Sequence, residues 1–329
     1  MTLARVLLVA TACAMPLHRA AAQDVEPEQV VNALEGTFGV HPGQRRNHIK
    51  GTCAAGEFVG TAEAAAISRS ALFAGAPVPV VARFSLPSGN PKIPDTAKTV
   101  RGMALQFRLP GNDLQHMTML NTPVFGAAHP RTFHAGVVAQ KPDAATGRPD
   151  PERLKAFRAG HPDTDAQARF LASQNPPPSY ANSAFFGIHT FKFVDAARKK
   201  TPVRWRFVPQ AGEKALADAE LTSLPPDFLE SRLIEATKAG PVRWDMIVSI
   251  GEPGDPEIDP TKEWPKERRE IKAGTLSITS ASPQKGAACE PINFDPLVMA
   301  AGIEASEDPI LLFRSPSYAY SFSRRTEGK

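Results

Sequence analysis

Seven segments of this sequence alternate between apolar and polar residues with a period of two, the pattern of strands that bury one face. They cover residues 78–86, 103–109, 117–125, 189–194, 203–208, 244–250 and 276–279. The first of these segments follow one another through short turns, whereas parallel βαβ units need long crossovers. The pattern therefore predicts an α+β fold built on a large sheet or a barrel.

Helical patterns and proline clusters fill the connections between these segments. Residues 63–74, 164–173 and 225–238 have a helical period, and the last of these opens with Pro225-Pro226-Asp227, as helices often do. The 32 prolines cluster at 87–94, 149–151, 176–178 and 253–265, which predicts irregular loops there. Because no repeat or interdomain linker interrupts the chain, we expect one domain over residues 23–329, wrapped by long loops.

The N-terminus has the pattern of a secretory signal peptide. Arg5 precedes an apolar run over residues 6–17, and the small residues 20–22 precede Gln23. The run is too short to span a membrane, so we expect residues 1–22 to be cleaved and the protein to be periplasmic or secreted. A lipoprotein with Cys13 as the acylated residue is an alternative that requires an unusually short apolar region. Without Arg5 and Arg19, 36 basic residues face 34 acidic ones, and this balance gives no indication of nucleic-acid binding.

Two cysteines, Cys53 and Cys289, remain after cleavage. In an oxidising compartment they are able to pair, but the sequence alone does not fix the distance between them. A disulfide and two buried free thiols are both compatible with the sequence.

Several common enzyme motifs are absent from the sequence. It contains no phosphate-binding P-loop, no Gly-x-Gly-x-x-Gly that opens a helix, no Gly-x-Ser-x-Gly and no His-Glu-x-x-His. Phosphate binding, nicotinamide chemistry, serine hydrolysis and zinc proteolysis therefore lack their usual marks.

The C-terminal segment contains the most informative residues. If it is helical, Arg314, Tyr318 and Arg325 share one face, because they are four and seven residues apart. A neighbouring guanidinium favours a phenolate over a phenol, and a phenolate is a hard anionic ligand that suits ferric iron. An amphipathic helix with a half-buried tyrosine and solvated arginines is the alternative for this segment taken alone.

Three further segments contain residues with candidate chemistry. His48 stands before a run of small residues, where an imidazole can approach a flat ligand, although a lone histidine is more often structural. Arg83 and Ser85 end a strand, where they could meet an anion and orient a neighbouring imidazole. Asn121 lies in an apolar segment, and a buried amide needs a partner unless it forms a turn before Pro123.

Taken together and in order, these motifs resemble the haem catalase family along nearly the whole mature chain. The matching segments are Arg45-x-x-His48-x-x-Gly51, Arg83-Phe84-Ser85, Asn121-Thr122-Pro123-Val124-Phe125, Gly187-Ile188-His189-Thr190-Phe191-Lys192, Phe294-Asp295-Pro296, Gly302-Ile303-Glu304 and the Arg314, Tyr318, Arg325 spacing. The chain is most similar to the short catalase-related peroxidases. The resemblance implies a closed antiparallel barrel of eight strands with flanking helices and no C-terminal helical domain.

The resemblance assigns roles on the proximal face of a haem b, with no NADPH expected. Tyr318 is the implied iron ligand, and Arg314 holds it deprotonated. His189 and Asp308 match the groups that continue the chain of alternating charges behind that arginine.

On the distal face, His48 is implied as the acid and base that moves the peroxide proton, Asn121 as a hydrogen-bond donor to the peroxide oxygen, and Ser85 as the group that orients His48. The remaining implied haem contacts are the propionate-binding Arg45, Arg83 and Arg325, and Phe133 as a ring near the distal face.

The implied activity is that of a haem peroxidase that reduces hydrogen peroxide or organic hydroperoxides through a ferryl intermediate, with a small organic reductant as the second substrate. Alternatives on the same fold are a true catalase, a hydroperoxide-rearranging haem protein and a barrel that has lost its haem. We expect no membrane span, no nucleic-acid partner, and a monomer or small homo-oligomer.

Overall fold

The computed structural model describes residues 25–328, so the predicted signal peptide 1–22 and the alternative lipid site at Cys13 lie outside the described residues. The strands, numbered β1 to β9, are Gly51–Gly60, Pro77–Ser85, Gly102–Arg108, Leu114–Leu120, Phe185–Val194, Lys200–Pro209, Val242–Ile250, Glu270–Pro283 and Ile303–Ala305. The helices, numbered α1 to α8, are Pro27–Phe38, Ala62–Ala65, Pro130–Ala139, Pro151–Gly160, Asp165–Ser173, Glu220–Ser223, Phe228–Ala239 and Pro309–Thr326.

Strands β1 to β8 form a closed antiparallel barrel. The spatial order is β4-β3-β2-β1-β8-β7-β6-β5, and a pairing between Leu120 and Phe186 joins β4 to β5 and closes the ring. The short β9 pairs with β5 outside this ring. The predicted eight-stranded barrel with flanking helices is therefore confirmed.

The barrel interior is filled by apolar side chains that alternate along each strand. On β2, Val80, Ala82 and Phe84 belong to the main core, whereas Arg83 and Ser85 lie on the opposite face of the strand. Phenylalanine rings dominate the filling, with Phe58 at its centre within 6.4 Å of three other ring centroids. Because the interior is packed solid, polar chemistry is confined to the outer face and the loops.

The predicted strand segments all correspond to strands: 78–86 and 103–109 each run one residue past the strand end, and only 117–125 differs by more. The segment 117–125 ends as a strand at Leu120, because the turn through Asn121 and Pro123 follows directly. Strand β1 was not predicted, since its Thr-Cys-Ala-Ala-Gly run contains small residues rather than an alternation of large apolar ones.

The predicted helices are only partly correct. The pattern over 164–173 corresponds to α5, and that over 225–238 to α7, which begins later at Phe228. The single helix over 63–74 is wrong: α2 ends at Ala65, and a separate short 3-10 helix covers Ala71–Phe73. Ser68 and Ser70 interrupt it, because their hydroxyls accept from the main-chain N–H groups of Ser70 and Leu72. Among residues 25–328, no helix has the length and apolar character needed to cross a membrane.

Candidate active site

Four neighbouring strands place two rows of side chains on the outer face of the barrel. Register pairs align one row across β1, β2, β3 and β4, namely Cys53, Arg83, Ala104 and Thr118. The adjacent row consists of Gly51, Ser85, Gly102 and Leu120. Small residues therefore surround Arg83 and Ser85, which leaves room above the sheet for other groups.

His48 lies in the loop before β1 and turns its ring onto this surface. Its main chain has a left-handed φ of 53°, which is uncommon for a residue other than glycine and is associated with functional sites. The guanidinium of Arg83 stabilises the turn by donating to the His48 carbonyl at 2.6 Å. A side chain at Gly51 would clash with that guanidinium, which explains the glycine in the motif.

The imidazole of His48 is held by Ser85, as the sequence motif implied. Nδ1 of His48 lies 2.9 Å from Oγ of Ser85. A Cβ atom at Gly102 would come within 3.1 Å of Cε1 of the same ring, so the absence of a side chain there makes space for the imidazole. The ring is thus fixed from two neighbouring strands.

Burial and positive charge keep His48 neutral. Burial first, and then the charges of Arg83, Arg314 and Arg45, lower its pKa to about 3. A neutral imidazole is able to accept a proton at physiological pH, whereas an imidazolium is not.

Asn121 sits in the turn that follows β4, and its amide has a defined orientation. The main-chain N–H of Asn121 donates to the Arg101 carbonyl at 2.9 Å, and the side-chain Oδ1 accepts from the main-chain N–H of Arg101 at 2.6 Å. Because Oδ1 is engaged, the amide presents Nδ2, a donor, to any further partner. Both interpretations of the sequence therefore apply to Asn121: it forms the strand-end turn, and it keeps a donor.

A continuous hydrogen-bonded chain links Asp308, His189, Arg314 and Tyr318. His189 Nδ1 lies 2.6 Å from Oδ2 of Asp308, and its Nε2 lies 3.0 Å from Nη1 of Arg314. A guanidinium has only donors, so Nε2 accepts and Nδ1 carries the proton donated to Asp308. Arg314 in turn donates to the Tyr318 phenol oxygen from Nε at 3.2 Å and from Nη2 at 2.7 Å.

Local structure explains how these four residues come together. Helix α8 begins after Asp308, which caps it, and Arg314 and Tyr318 lie one turn apart on the helix. His189 is on β5, where the register against β6 shifts between Gly187 and Phe191. Such irregularities re-aim side chains next to functional sites. Burial lowers the pKa of His189, against the opposing effect of its bond to Asp308, so the histidine is neutral.

Arg45, Arg83 and Arg325 gather around a second part of the site. Arg45 donates to the carbonyls of Cys289, Glu290 and Ile292, and Arg325 donates to that of Pro291. The acceptors of these hydrogen bonds are neutral, and burial together with the charges of Arg83 and Arg325 lowers the pKa of Arg45. A cavity of about 600 Å³ opens between Arg45 and Arg325. Clustered cations beside a cavity suit an anionic ligand with more than one carboxylate.

Phe133 lies on α3, apart from the hydrogen-bonded groups. Its ring stacks on Phe125 with centroids 5.8 Å apart, and it packs against a small apolar cluster of Val30, Leu34 and Val137, which Phe313 of α8 also contacts. The structure thus places Phe133 beside Phe125, which follows the turn that carries Asn121.

Sequence reasoning missed several residues of the site. Thr118 accepts a hydrogen bond from Nη2 of Arg314 at 2.7 Å, and the period-two alternation of β4 could have indicated it. Gln284 accepts from Arg83 at 2.7 Å, but it follows a strand in an irregular loop and carries no pattern. Glu35 of α1 forms ion pairs with Arg46, in the loop of His48, and with Arg324 of α8. It thereby connects the loop that carries His48 to the helix that carries Tyr318.

The residues present fit a haem group. The Tyr318 oxygen accepts two hydrogen bonds from one guanidinium, which holds it in place, and tyrosine oxygen is a known ligand of haem iron. The three clustered guanidinium groups donate only to neutral acceptors, so their positive charge suits the two negatively charged propionates of a haem. The small residues beside Ser85 leave space for a flat ring.

The similarity to known proteins agrees with this arrangement. The family model for catalase matches residues 42–329. A catalase-related peroxidase of Synechococcus elongatus is 58% identical over 94% of this chain and 91% of its own length. Another, of Mycolicibacterium paratuberculosis, is 34% identical over 91% of this chain and 95% of its own. The solved structure of catalase A from Saccharomyces cerevisiae superposes with a TM-score of 0.80 at 25% identity, covering 87% of this chain and 62% of that one.

Proposed function

Because this chain belongs to the catalase family, and is an oxidoreductase that acts on peroxide, we propose that it is a haem-dependent peroxidase. Its substrates in this proposal are hydrogen peroxide or organic hydroperoxides, and its electron donor is a small organic molecule. The two relatives that it matches over nearly their full length are both named catalase-related peroxidases, which favours this function over catalase dismutation.

The observation that carries the proposal is the hydrogen-bonded chain that ends at Tyr318. Arg314 donates twice to the phenol oxygen, and its own charge is balanced through neutral His189 by the buried Asp308. This arrangement fixes the position of the Tyr318 oxygen, the atom that would bind iron. Haem b would be held by Tyr318 and, through its propionates, by the arginine cluster; no NADPH is part of the proposal.

When bound, haem would supply the redox-active iron at which peroxide is reduced with electrons from the donor. The protein's task on the distal side is proton transfer. Nε2 of His48 takes the proton from one peroxide oxygen and delivers it to the departing oxygen, while Nδ2 of Asn121 donates to the peroxide. For Nε2 to act as the base, Nδ1 must carry the proton and donate it to Ser85.

We also place the protein outside the cytoplasm, in the periplasm or as a secreted monomer or small homo-oligomer. The signal-peptide pattern of residues 1–22 supports export. The disulfide between Cys53 and Cys289 supports it independently, because such bonds persist in oxidising compartments. Comparing the N-terminal sequence of the protein recovered from cells with that of the translated chain tests this proposal.

The purified protein reconstituted with haem tests the function. A ferric spectrum with tyrosinate features is expected, and addition of hydrogen peroxide with a phenolic donor should consume the donor faster than oxygen is released. Fast oxygen release without donor oxidation would instead identify a catalase. An epoxide formed from a fatty-acid hydroperoxide without donor consumption would identify a rearranging enzyme. A protein that binds no haem, and so remains colourless after free haem is removed, would refute the proposal.

A further inference from the structure

A short irregular segment, residues 284–292, contacts all three arginines of the cluster, and we call it the bridged loop. Arg45 donates to three of its carbonyls, at 2.8 to 3.3 Å, and Arg325 donates to a fourth, that of Pro291. Oε1 of Gln284 accepts from both Nε and Nη2 of Arg83, at 3.1 and 2.7 Å. The positions of the three guanidinium groups therefore depend on where this loop lies.

One covalent bond fixes the bridged loop to the barrel. Cys289 pairs with Cys53 of β1, with a Cα separation of 5.5 Å across 236 residues of sequence. Cys53 stands directly opposite Arg83 in the strand register, so the bond joins the loop beside the arginine that supports His48. The loop has no regular secondary structure, and apart from this bond it is held by hydrogen bonds, such as the one that Nε2 of Gln284 donates to the Ile49 carbonyl at 2.9 Å.

The burial pattern indicates that this bond is the main anchor. Within the bridged loop only Cys289 is fully buried, whereas Lys285 and Pro291 are exposed. The two cysteines pack with Val81 and Phe294 in a small apolar cluster separate from the barrel core. Without the covalent link, only this small cluster and hydrogen bonds at the protein surface would hold a largely polar loop.

We propose that the Cys53–Cys289 disulfide positions the three arginines and thereby determines how tightly the protein holds the carboxylates of its porphyrin. The inference rests on the proposed haem function. Reduction of the bond frees the loop carbonyls and Gln284 from their places, so the arginines lose the geometry that two carboxylates require. Iron ligation by Tyr318 is unaffected, because that residue is held by Arg314 and not by the loop.

A comparison of haem with its dimethyl ester, which lacks the propionate charges, tests the proposal. Equilibrium binding of both porphyrins is measured for the oxidised protein, for protein reduced with dithiothreitol and desalted without oxygen, and for the Cys53→Ala/Cys289→Ala variant. Val81→Ala is the matched control, since it perturbs the same apolar cluster and leaves the bond intact. Thiol titration verifies the state of the bond in each sample.

The expected result is selective for the charged ligand. Loss of the bond should weaken haem binding by about tenfold or more, as loss of charge-assisted contacts does, while ester binding changes by no more than about twofold. Val81→Ala should preserve the preference for haem over ester. If the binding of both porphyrins weakens equally, the disulfide only stabilises the structure. If the binding of neither changes, the disulfide has no positioning role. Either outcome overturns the inference. Failure of every sample to bind either porphyrin would refute the haem function itself.

Discussion

Asp308 engages His189 and the start of helix α8 with different oxygens of one carboxylate. Oδ2 lies 2.6 Å from His189 Nδ1, while Oδ1 accepts from the main-chain N–H groups of Ile310 and Leu311. The side chain is fully buried, so each of these donors depends on it. The same residue therefore begins the helix that carries Tyr318 and sets the tautomer of the histidine behind Arg314.

Asp308→Asn should be destabilising although it preserves shape. An amide has one acceptor oxygen, so its NH2 must face either the two helix N–H groups or His189 Nδ1–H, and at least one buried donor loses its partner. We expect a loss of about 1–3 kcal/mol in the free energy of urea unfolding. Asp150→Asn, at the exposed cap of α4, is the matched control and should be nearly neutral. Equal effects of the two changes would contradict the dual role.

Tyr318→Phe should abolish tight haem binding and leave the fold intact. The ring remains to pack, but the oxygen that accepts two bonds from Arg314 is lost. Tyr320→Phe is the control, because that residue points about 200° around the helix and binds Arg324 instead. Haem titration followed by visible absorption distinguishes the two variants. Normal haem binding by Tyr318→Phe would exclude this tyrosine as the ligand.

His48→Ala should retain haem and slow peroxide cleavage by about 10²- to 10⁴-fold, since the proton must then move without a positioned base. Rapid mixing of the haem-loaded protein with peroxide measures this step directly. His41→Ala alters a histidine of the same loop and should leave the rate unchanged. An undiminished rate in His48→Ala would remove this residue from the mechanism.

Gly102→Ala should impair the same step through the position of the imidazole. The added methyl group would stand 3.0 Å from Oγ of Ser85 and 3.1 Å from Cε1 of His48, which forces the ring to move. We expect slower peroxide cleavage with little change in haem affinity. Gly160→Ala, where a Cβ meets nothing within 4 Å, provides the control. A variant with wild-type kinetics would show that the ring tolerates displacement.

Acid should destabilise the protein partly through His48. Its pKa is about 3 in the native state, because of burial and of Arg83, Arg314 and Arg45, against the ordinary value of 6.5. The unfolded chain therefore binds a proton that the native state does not, and stability falls as the pH drops from about 6.5 towards 3, by up to about 1.4 kcal/mol per pH unit for this one group. Urea unfolding across this range should show a shallower pH dependence in His48→Gln, and identical slopes would contradict the assigned pKa.

Much of the fold could be predicted from local pattern, and the errors have local causes. Alternation along β2 to β8 identified those strands, because each has one apolar face against the barrel core. Strand β1 was missed since small residues conceal its alternation. The helix predicted over 63–74 was wrong because Ser68 and Ser70 offer their hydroxyls to the main chain in place of helical bonds.

The residues of the site also fall into two groups, those that local sequence patterns indicate and those that only the tertiary structure reveals. The spacing of Arg314 and Tyr318 is a property of one helix, so the sequence alone indicated that the two residues meet. The motifs also identified His48, Ser85 and Asn121 by their order along the chain. Gln284 and Glu35 have no such motif, and their contacts with Arg83 and with Arg46 and Arg324 became evident only in three dimensions.

The sequence by itself determined the strand pattern, the helix that presents Tyr318, and the family, because these depend on residues close together or on motifs in fixed order. Tertiary structure decided which distant groups complete the site. Closure of the barrel and the shifted register of β5 bring His189 to Asp308, 119 residues away, and the pairing of Cys53 with Cys289 was open until β1 and the bridged loop were seen side by side. Contacts of this range depend on how whole strands register, which no local spacing specifies.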